Sequence, residues 1–304
     1  MNPRPLRYAA ITPARNEAGN LRRLGACVAA QTVLPAQWVI VDDGSTDGTG
    51  QVARGLARAH EWVRVIPAPP SGPRLAALSE GRVSGRDIVA FNAGVAELSV
   101  EPDVVVKLDA DVSFETDHFE QLLRRFAEDS RLGLASGTCY EATGDAWQPI
   151  FVTRGHVRGA VRAYRWRCFQ AVLPLDERLG WDGVDEVKAR MAGWRTTSFA
   201  DLSFRHHRKV GARDGALQEW LAQGDVAHYL GYRPSYLLLK VAFRSLREPR
   251  AVGMLLGYLR ALTGRRPRHA DAAVRAEIRR QQQLRRVPLR IREALGRSSG
   301  SASL

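Results

Sequence analysis

Cysteine is scarce. The 304 residues contain three, Cys27, Cys139 and Cys168, widely spaced and without a Cys-x-x-Cys pair. That pattern argues against a disulfide framework and against a thiolate zinc site, and it suits a reducing compartment. Lysine is nearly as rare in so basic a chain, with only Lys107, Lys188, Lys209 and Lys240. No apolar stretch approaches the roughly 18 residues of a membrane span. The basic residues 1–8 are not followed by the apolar stretch of a secretory signal, so none is expected. Two phosphate-binding signatures are also missing. Without Gly-x-Gly-x-x-Gly after the first strand, a dinucleotide fold lacks its turn, and without Gly-x-x-x-x-Gly-Lys-Ser/Thr there is no P-loop.

What remains is an ordinary globular composition, 45% hydrophobic and 25% charged, with an uneven charge distribution. Residues 1–203 carry 24 basic and 25 acidic side chains, whereas residues 204–304 carry 21 basic and 7 acidic. The net charge of +13 therefore sits in the last third. A near-neutral body with a basic extension implies an anionic partner, either a membrane surface or a nucleic acid.

The first 110 residues alternate short β-type runs with helical patterns. Strands are expected at residues 8–12, 38–41, 62–66 and 103–108. Helices are expected at 17–30, 49–59 and 74–83, the first with Leu21, Leu24 and Val28 on one face. Near-continuous apolar strands separated by helices imply a mostly parallel sheet covered on both faces, whose ligand crevice lies at the carboxyl ends of the strands. Two acidic loops leave strands at that end: Asp42-Asp43-Gly44-Ser45 after Val41, and Asp109-Ala-Asp111 after Leu108. Carboxylates repel phosphates, so such a crevice holds a diphosphate only through a divalent cation. Roughly one Asp-x-Asp is expected by chance at this composition, so its position at the end of an apolar strand carries the weight. For Asp42 a turn is an equal reading, with Ser45 or Asp47 capping the next helix.

Five stretches in order resemble the inverting glycosyltransferases of family 2, which have the GT-A fold. They are Ile11-Thr-Pro-Ala-Arg-Asn-Glu-Ala-Gly-Asn-Leu21, Val39-Ile-Val-Asp-Asp-Gly-Ser-Thr-Asp-Gly-Thr49, Ala90-Phe-Asn-Ala-Gly94, Lys107-Leu-Asp-Ala-Asp111 and Gly180-Trp-Asp-Gly-Val-Asp-Glu-Val-Lys-Ala-Arg-Met-Ala-Gly-Trp194. The resemblance covers residues 8 to about 208. It implies that Pro13, Arg15 and Glu17 line the nucleobase end of a donor pocket and that Asp43 contacts the base. Asn92 is implied near the ribose or diphosphate. Asp109 and Asp111 would hold Mg²⁺ or Mn²⁺ against the diphosphate of a nucleotide-sugar donor, with His206 or His207 as a further ligand.

Inverting transfer also needs a carboxylate base for the acceptor hydroxyl. The family's Glu-Asp pair is replaced here by Trp181-Asp182-Gly-Val-Asp185-Glu186. Counting forward from Leu175 favours Asp185 and counting back from Gly193 favours Asp182, with Glu186 third. The intervening residues 154–167, rich in arginine and aromatics, read either as a sugar- or phosphate-contacting surface or as a solvated basic helix.

Beyond the body, residues 234–246 form a basic amphipathic helix. Leu239, Ala242, Phe243 and Leu246 fall on one face, and Lys240, Arg244 and Arg247 on another. A short apolar helix at 251–262 follows, and Gly253-x-x-x-Gly257 within it is too common a spacing to signify on its own. The expected organisation is a catalytic domain at 1–210, with a donor half at 1–111 and an acceptor half at 112–210. A basic amphipathic extension occupies 211–297 and a disordered tail 298–304. The expected activity is metal-dependent transfer of a sugar to a hydroxyl acceptor, a glycan or a lipid-linked species of surface polysaccharide synthesis. The expected setting is cytoplasmic, peripheral on the inner face of the membrane. Two other readings stand beside it: a nucleotidyltransferase of related fold, and a non-catalytic membrane- or nucleic-acid-binding protein acting through its basic extension.

Overall fold

The computed structural model describes residues 4–70, 85–143, 146–150, 155–208, 216–246 and 248–283. The helix expected at 74–83 and the tail at 298–304 lie outside those residues. A parallel unit comes first, with β1 (Tyr8–Ala14), α1 (Ala18–Ala29), β2 (Gln37–Asp42), α2 (Thr49–Ala59), β3 (Val63–Pro67), α3 (Arg86–Ala96) and β4 (Val104–Leu108). There follow β5 (Val112–Phe114), α4 (His118–Glu128), β6 (Leu132–Thr143), β7 (Ala146–Pro149), β8 (Val161–Arg165), α5 (Trp166–Val172), α6 (Trp181–Met191) and β9 (Arg195–His206).

All nine strands join one sheet in the order β3-β2-β1-β4-β8-β6-β9-β5, with β7 paired to β6. The first four are parallel. Strand β8 runs antiparallel to β4 and to β6, and β9 runs parallel to β6. Two reversals restore the original direction, so β9 ends at the same edge of the sheet as β4.

The strands are apolar on both faces, and successive side chains enter different cores, as a pleat of period two requires. Tyr8, Ala10, Trp38, Ile40, Val104 and Val106 pack with α1 and α4 through Leu21, Leu24, Phe119 and Phe126. Ile11, Val39, Val41 and Val105 pack on the opposite side with Phe91, Phe169 and Trp181. Helix α1 begins where expected, but its first turn is capped from a neighbouring loop. Glu17 N–H donates to Thr49 Oγ1 (2.7 Å) and Ala18 N–H to Asp47 Oδ2 (3.1 Å). Neither Ser45 nor Asp47 is the N-cap of α2. That position is Gly48, at φ +91°, and Ser45 Oγ accepts from Asn16 N–H instead. Asp42 takes the turn role, accepting from Ser45 N–H (3.0 Å).

Of the arginine-rich residues 154–167, those described (155–167) do not form a solvated basic helix. Val161–Arg165 is the central strand β8, and Arg162 on it is wholly buried.

Four further helices complete the described chain: α7 (Ala216–Tyr229), α8 (Pro234–Ser245), α9 (Gly253–Thr263) after a 3₁₀ turn at Pro249–Val252, and α10 (Ala272–Gln281). Helices α7 and α9 cross almost in backbone contact. A Cβ on Gly257 would lie 2.0 Å from the Leu221 carbonyl oxygen, and one on Gly224 would lie 2.2 Å from that of Met254. The Gly253-x-x-x-Gly257 spacing is thus a true helix-packing site. The face of α8 that packs inward carries Leu237 and Val241, while Leu239 and Leu246 of the expected apolar face are exposed. Residues 272–281 of the basic extension are helical. Asp271 caps them by accepting from Ala273 and Val274 N–H, and Val274 and Ile278 are buried.

Candidate active site

The crevice lies along the edge where β1, β2, β4 and β9 all end. At one end Asp43, held by an N–H bond to the Ala14 carbonyl (2.8 Å), forms an ion pair with Arg86 from the start of α3, and Arg15 Nη1 lies 3.8 Å away. Glu17, also buried, receives a two-pronged bond from Arg208, at 2.6 and 2.7 Å. Arg208 Nη1 is also 3.8 Å from Asp111, so a single guanidinium links the Glu17 end of the crevice to the Asp-x-Asp loop. Pro13 sits in the same strand end, in register with Val41. Asn92 lies on α3 and donates to Glu177 (3.4 Å), on the loop before α6.

The second group is Asp109, Asp111 and His206, which offer donor atoms all within 4.8 Å of one another. Backbone pairing makes this meeting: Val112 of β5 is in register with His206 of β9, next to the Asp-x-Asp loop that ends β4. His206 Nε2 is 3.2 Å from Asp111, and its Nδ1 is 3.6 Å from Glu141. Burial alone would depress that imidazole, but Asp111 and Glu141 outweigh it and push its pKa up to about 9. Without a metal ion it is thus a protonated cation among carboxylates. Asp111 is desolvated yet held below its ordinary value by His206 and Arg208. Asp109 is raised by desolvation, against the pull of Lys107. His207 goes elsewhere. Its Nε2 is 2.7 Å from Ser113 Oγ and its ring meets the Trp147 edge, and it is in neither of the potential metal-binding clusters among the described residues.

Lys107 and Arg162 are paired in register across β4 and β8, so two buried cations stand side by side, both about over the ring of Trp181 (5.5 and 5.3 Å). Like charges are tolerated there because each has its own acids. Lys107 Nζ bridges Asp109 and Asp87 (3.3 Å). Arg162 donates from Nε (3.0 Å) and Nη2 (2.5 Å) to Asp185, and it lies 3.3 Å from Glu186. Tyr164 Oη donates a further short bond to Asp185. Glu186 accepts from Val157 N–H (2.7 Å) and meets His156 Nδ1 (2.9 Å). Burial pushes Asp185 up to about 6 against Arg162, while Glu186 stays below its ordinary value because His156 and Arg162 outweigh burial. Of the three candidate bases, Asp185 (1% exposed) and Glu186 (4%) are enclosed with their oxygens engaged, whereas Asp182 in the first turn of α6 is half-buried and reaches the surface.

Several site residues carried no assigned role in the sequence reading. Lys107 had a legible signal, as an ionisable residue inside the apolar run Val104–Leu108. Arg162 and Tyr164 alternate on a strand and so share a face, but that requires knowing the strand. Arg86 and Glu141 had no local signal.

The sequence profile described as glycosyl transferase family 2 matches residues 9–171, more than half of the chain. The chain belongs to glycosyl transferase family 2. It has the GT-A fold. A curated relative, the succinoglycan biosynthesis protein ExoA of Rhizobium meliloti (strain 1021), is 32% identical over 114 residues, covering 37% of this chain and 30% of that protein. Among solved structures, the chain is similar to the mannosyltransferase PcManGT of Pyrobaculum calidifontis, in complex with GDP-Man and Mn²⁺. The TM-score is 0.57 at 15% identity, over 96% of this chain and 85% of that one. It is also similar to GalNAc-T7 with UDP, GalNAc and Mn²⁺ (TM-score 0.56, 14% identity, 75% of this chain and 49% of that one). A third likeness is to S. aureus TarS in complex with UDP (TM-score 0.52, 15% identity, 72% and 64%).

Proposed function

We propose that the protein transfers a sugar, with inversion, from a nucleotide-diphospho-sugar to a hydroxyl acceptor, and that a divalent cation takes part. The observation that carries this is the convergence of Asp109, Asp111 and His206 within 4.8 Å at the carboxyl edge of the sheet. Two carboxylates and an imidazole are a fitting donor set for Mn²⁺ or Mg²⁺. When bound, such an ion would supply positive charge to offset the negative charge accumulating on a departing diphosphate. Lys107 holds the Asp109 carboxylate in place, and Arg208 joins the same region to the Glu17 end. Asp43, with Arg15 and Arg86 beside it, suits recognition of a nucleobase edge. Pro13 and Glu17 are assigned to the wall of that pocket, and Asn92 to its ribose or diphosphate side.

In the transfer step the acceptor oxygen forms a bond to the anomeric carbon as the bond from that carbon to the diphosphate oxygen breaks. The leaving oxygen keeps the electron pair, and the hydroxyl proton passes to a carboxylate. Asp182 fits that role better than Asp185, because it reaches the surface while Asp185 is enclosed by Arg162 and Tyr164. Asp185 and Glu186 instead fix the start of α6, and Arg162 Nη2 donates to the Asp182 carbonyl (2.9 Å). We assign the acceptor to the glycan or lipid-linked intermediates of surface polysaccharide or glycolipid synthesis. The likeness to a succinoglycan biosynthesis protein supports that assignment.

The test is a thermal-shift series with UDP-, GDP-, CMP- and dTDP-sugars, each with and without Mn²⁺. One nucleotide class should stabilise the protein, more strongly with metal, and Asp111→Ala should remove the metal-dependent part. A metal-dependent increment that persists undiminished in Asp111→Ala, or no metal dependence in the parent protein, would sink the metal assignment.

A further inference from the structure

The C-terminal helices carry an apolar surface that the body does not cover. Eight of the twelve large apolar side chains exposed among the described residues fall between positions 217 and 262, so the exposure is concentrated rather than scattered. Helix α9 shows why. Its Gly253 and Gly257 press onto α7, at Gly257 in backbone contact that leaves no room for a side chain, and Ala261 is buried. Its opposite stripe, with Val252 leading in from the 3₁₀ turn, is Leu256, Leu259 and Leu262, all 44–56% exposed. The helix is therefore apolar on both sides, one satisfied by packing and one not. Helix α8 adds Leu238 (56% exposed) and, just past its end, Leu246 (84%).

Charge identifies the occupant. Residues 231–270 carry nine basic side chains and one acidic, Glu248. Arg244, Arg250, Arg260, Arg265 and Arg268 are exposed. A second copy docking through this face would bring arginine against arginine. A nucleic acid would meet the arginines but gain nothing from burying leucine. A bilayer with anionic headgroups satisfies both, taking up the leucines at the acyl boundary and the arginines at the phosphates.

We propose that the outward faces of α8 and α9 form an interfacial docking surface for an anionic bilayer, and that it holds the catalytic body on the inner face of the membrane. Among the described residues no helix is long and apolar enough to cross a membrane. The proposal does not depend on the transfer chemistry, and its test is separable from that of the donor site.

The full chain is mixed with vesicles of phosphatidylcholine, alone or with about one-third phosphatidylglycerol, and sedimented. Binding is expected to the anionic vesicles only, weakening as salt rises. Leu256→Ser with Leu259→Ser should lower the vesicle affinity about tenfold or more. Because both leucines are exposed, the double variant should keep the parent's urea-unfolding midpoint, which reports an intact fold. Absence of vesicle binding by the parent protein would overturn the proposal. So would binding unchanged in the double variant, or a dimer in sedimentation equilibrium that the double variant abolishes.

Discussion

Replacing Arg162 by methionine tests the packing of the base region most directly. The guanidinium is wholly buried and serves Asp185, Glu186 and the Val157 and Asp182 carbonyls at once. Methionine keeps much of the apolar volume and removes the charge, leaving two enclosed carboxylates without their shared cation. Removing one partner of a buried pair costs about 3–5 kcal/mol, against a total stability of roughly 5–15 kcal/mol for a folded domain. Glu186 retains His156 and the Val157 amide, so most of the loss should arise at Asp185. Equilibrium urea unfolding should show a lowered midpoint at unchanged slope. The sign of the pH dependence follows from Asp185. Its carboxyl is already raised to about 6 with Arg162 present, and without that cation it rises further. A carboxyl with a folded value above its unfolded one weakens the protein at high pH and less so as pH falls. Arg162→Met should therefore recover stability on mild acidification. Adding Asp185→Asn should also return part of the loss at neutral pH. A deficit below about 1 kcal/mol, or a double variant no better than the single, would refute the account of Arg162 as the charge that permits Asp185 to be buried.

Asp182→Asn should lower kcat by about 10²–10⁴-fold while leaving the donor-induced thermal shift intact; unchanged turnover would remove Asp182 from the base role. His118, buried between Phe114 and Phe119 and bonded to the Ser203 carbonyl, is depressed by desolvation to about 4 from 6.5. Its contribution is complete above pH 6.5 and is lost as pH falls toward 4, by up to about 3 kcal/mol. His118→Gln should flatten that acid limb in unfolding titrations, and an unaltered limb would assign it to other groups. Gly257→Ala places a methyl against the Leu221 carbonyl and should loosen α9 from α7, at about 1–3 kcal/mol. Hydrogen exchange confined to α7 and α9 would report it, and unchanged protection there would contradict the packing.

Local pattern alone set the parallel half of the sheet, because residues that are apolar on both faces of short strands have few other ways to be buried. It also determined the positions of Asp43, Asp109 and Asp111, since acidic loops at strand ends are local features. It did not determine which histidine joins them. His206 and His207 are adjacent and alike, and only the register of β5 against β9 turns His206 toward Asp111 and His207 toward Ser113. The same holds for Asp182 and Asp185. Their spacing puts both near the start of one helix, but Arg162, about 20 residues away in sequence, reaches Asp185 only because β8 is inserted between β4 and β6. Helix α8 shows the converse case. Its amphipathic pattern was legible, yet the face that packs is Leu237 and Val241, and the expected apolar face is the one left outside. Periodicity records that two faces differ. Which of them meets protein is decided by where α7 and α9 lie, and those two helices are brought together by glycines whose meaning appears only once the backbones touch.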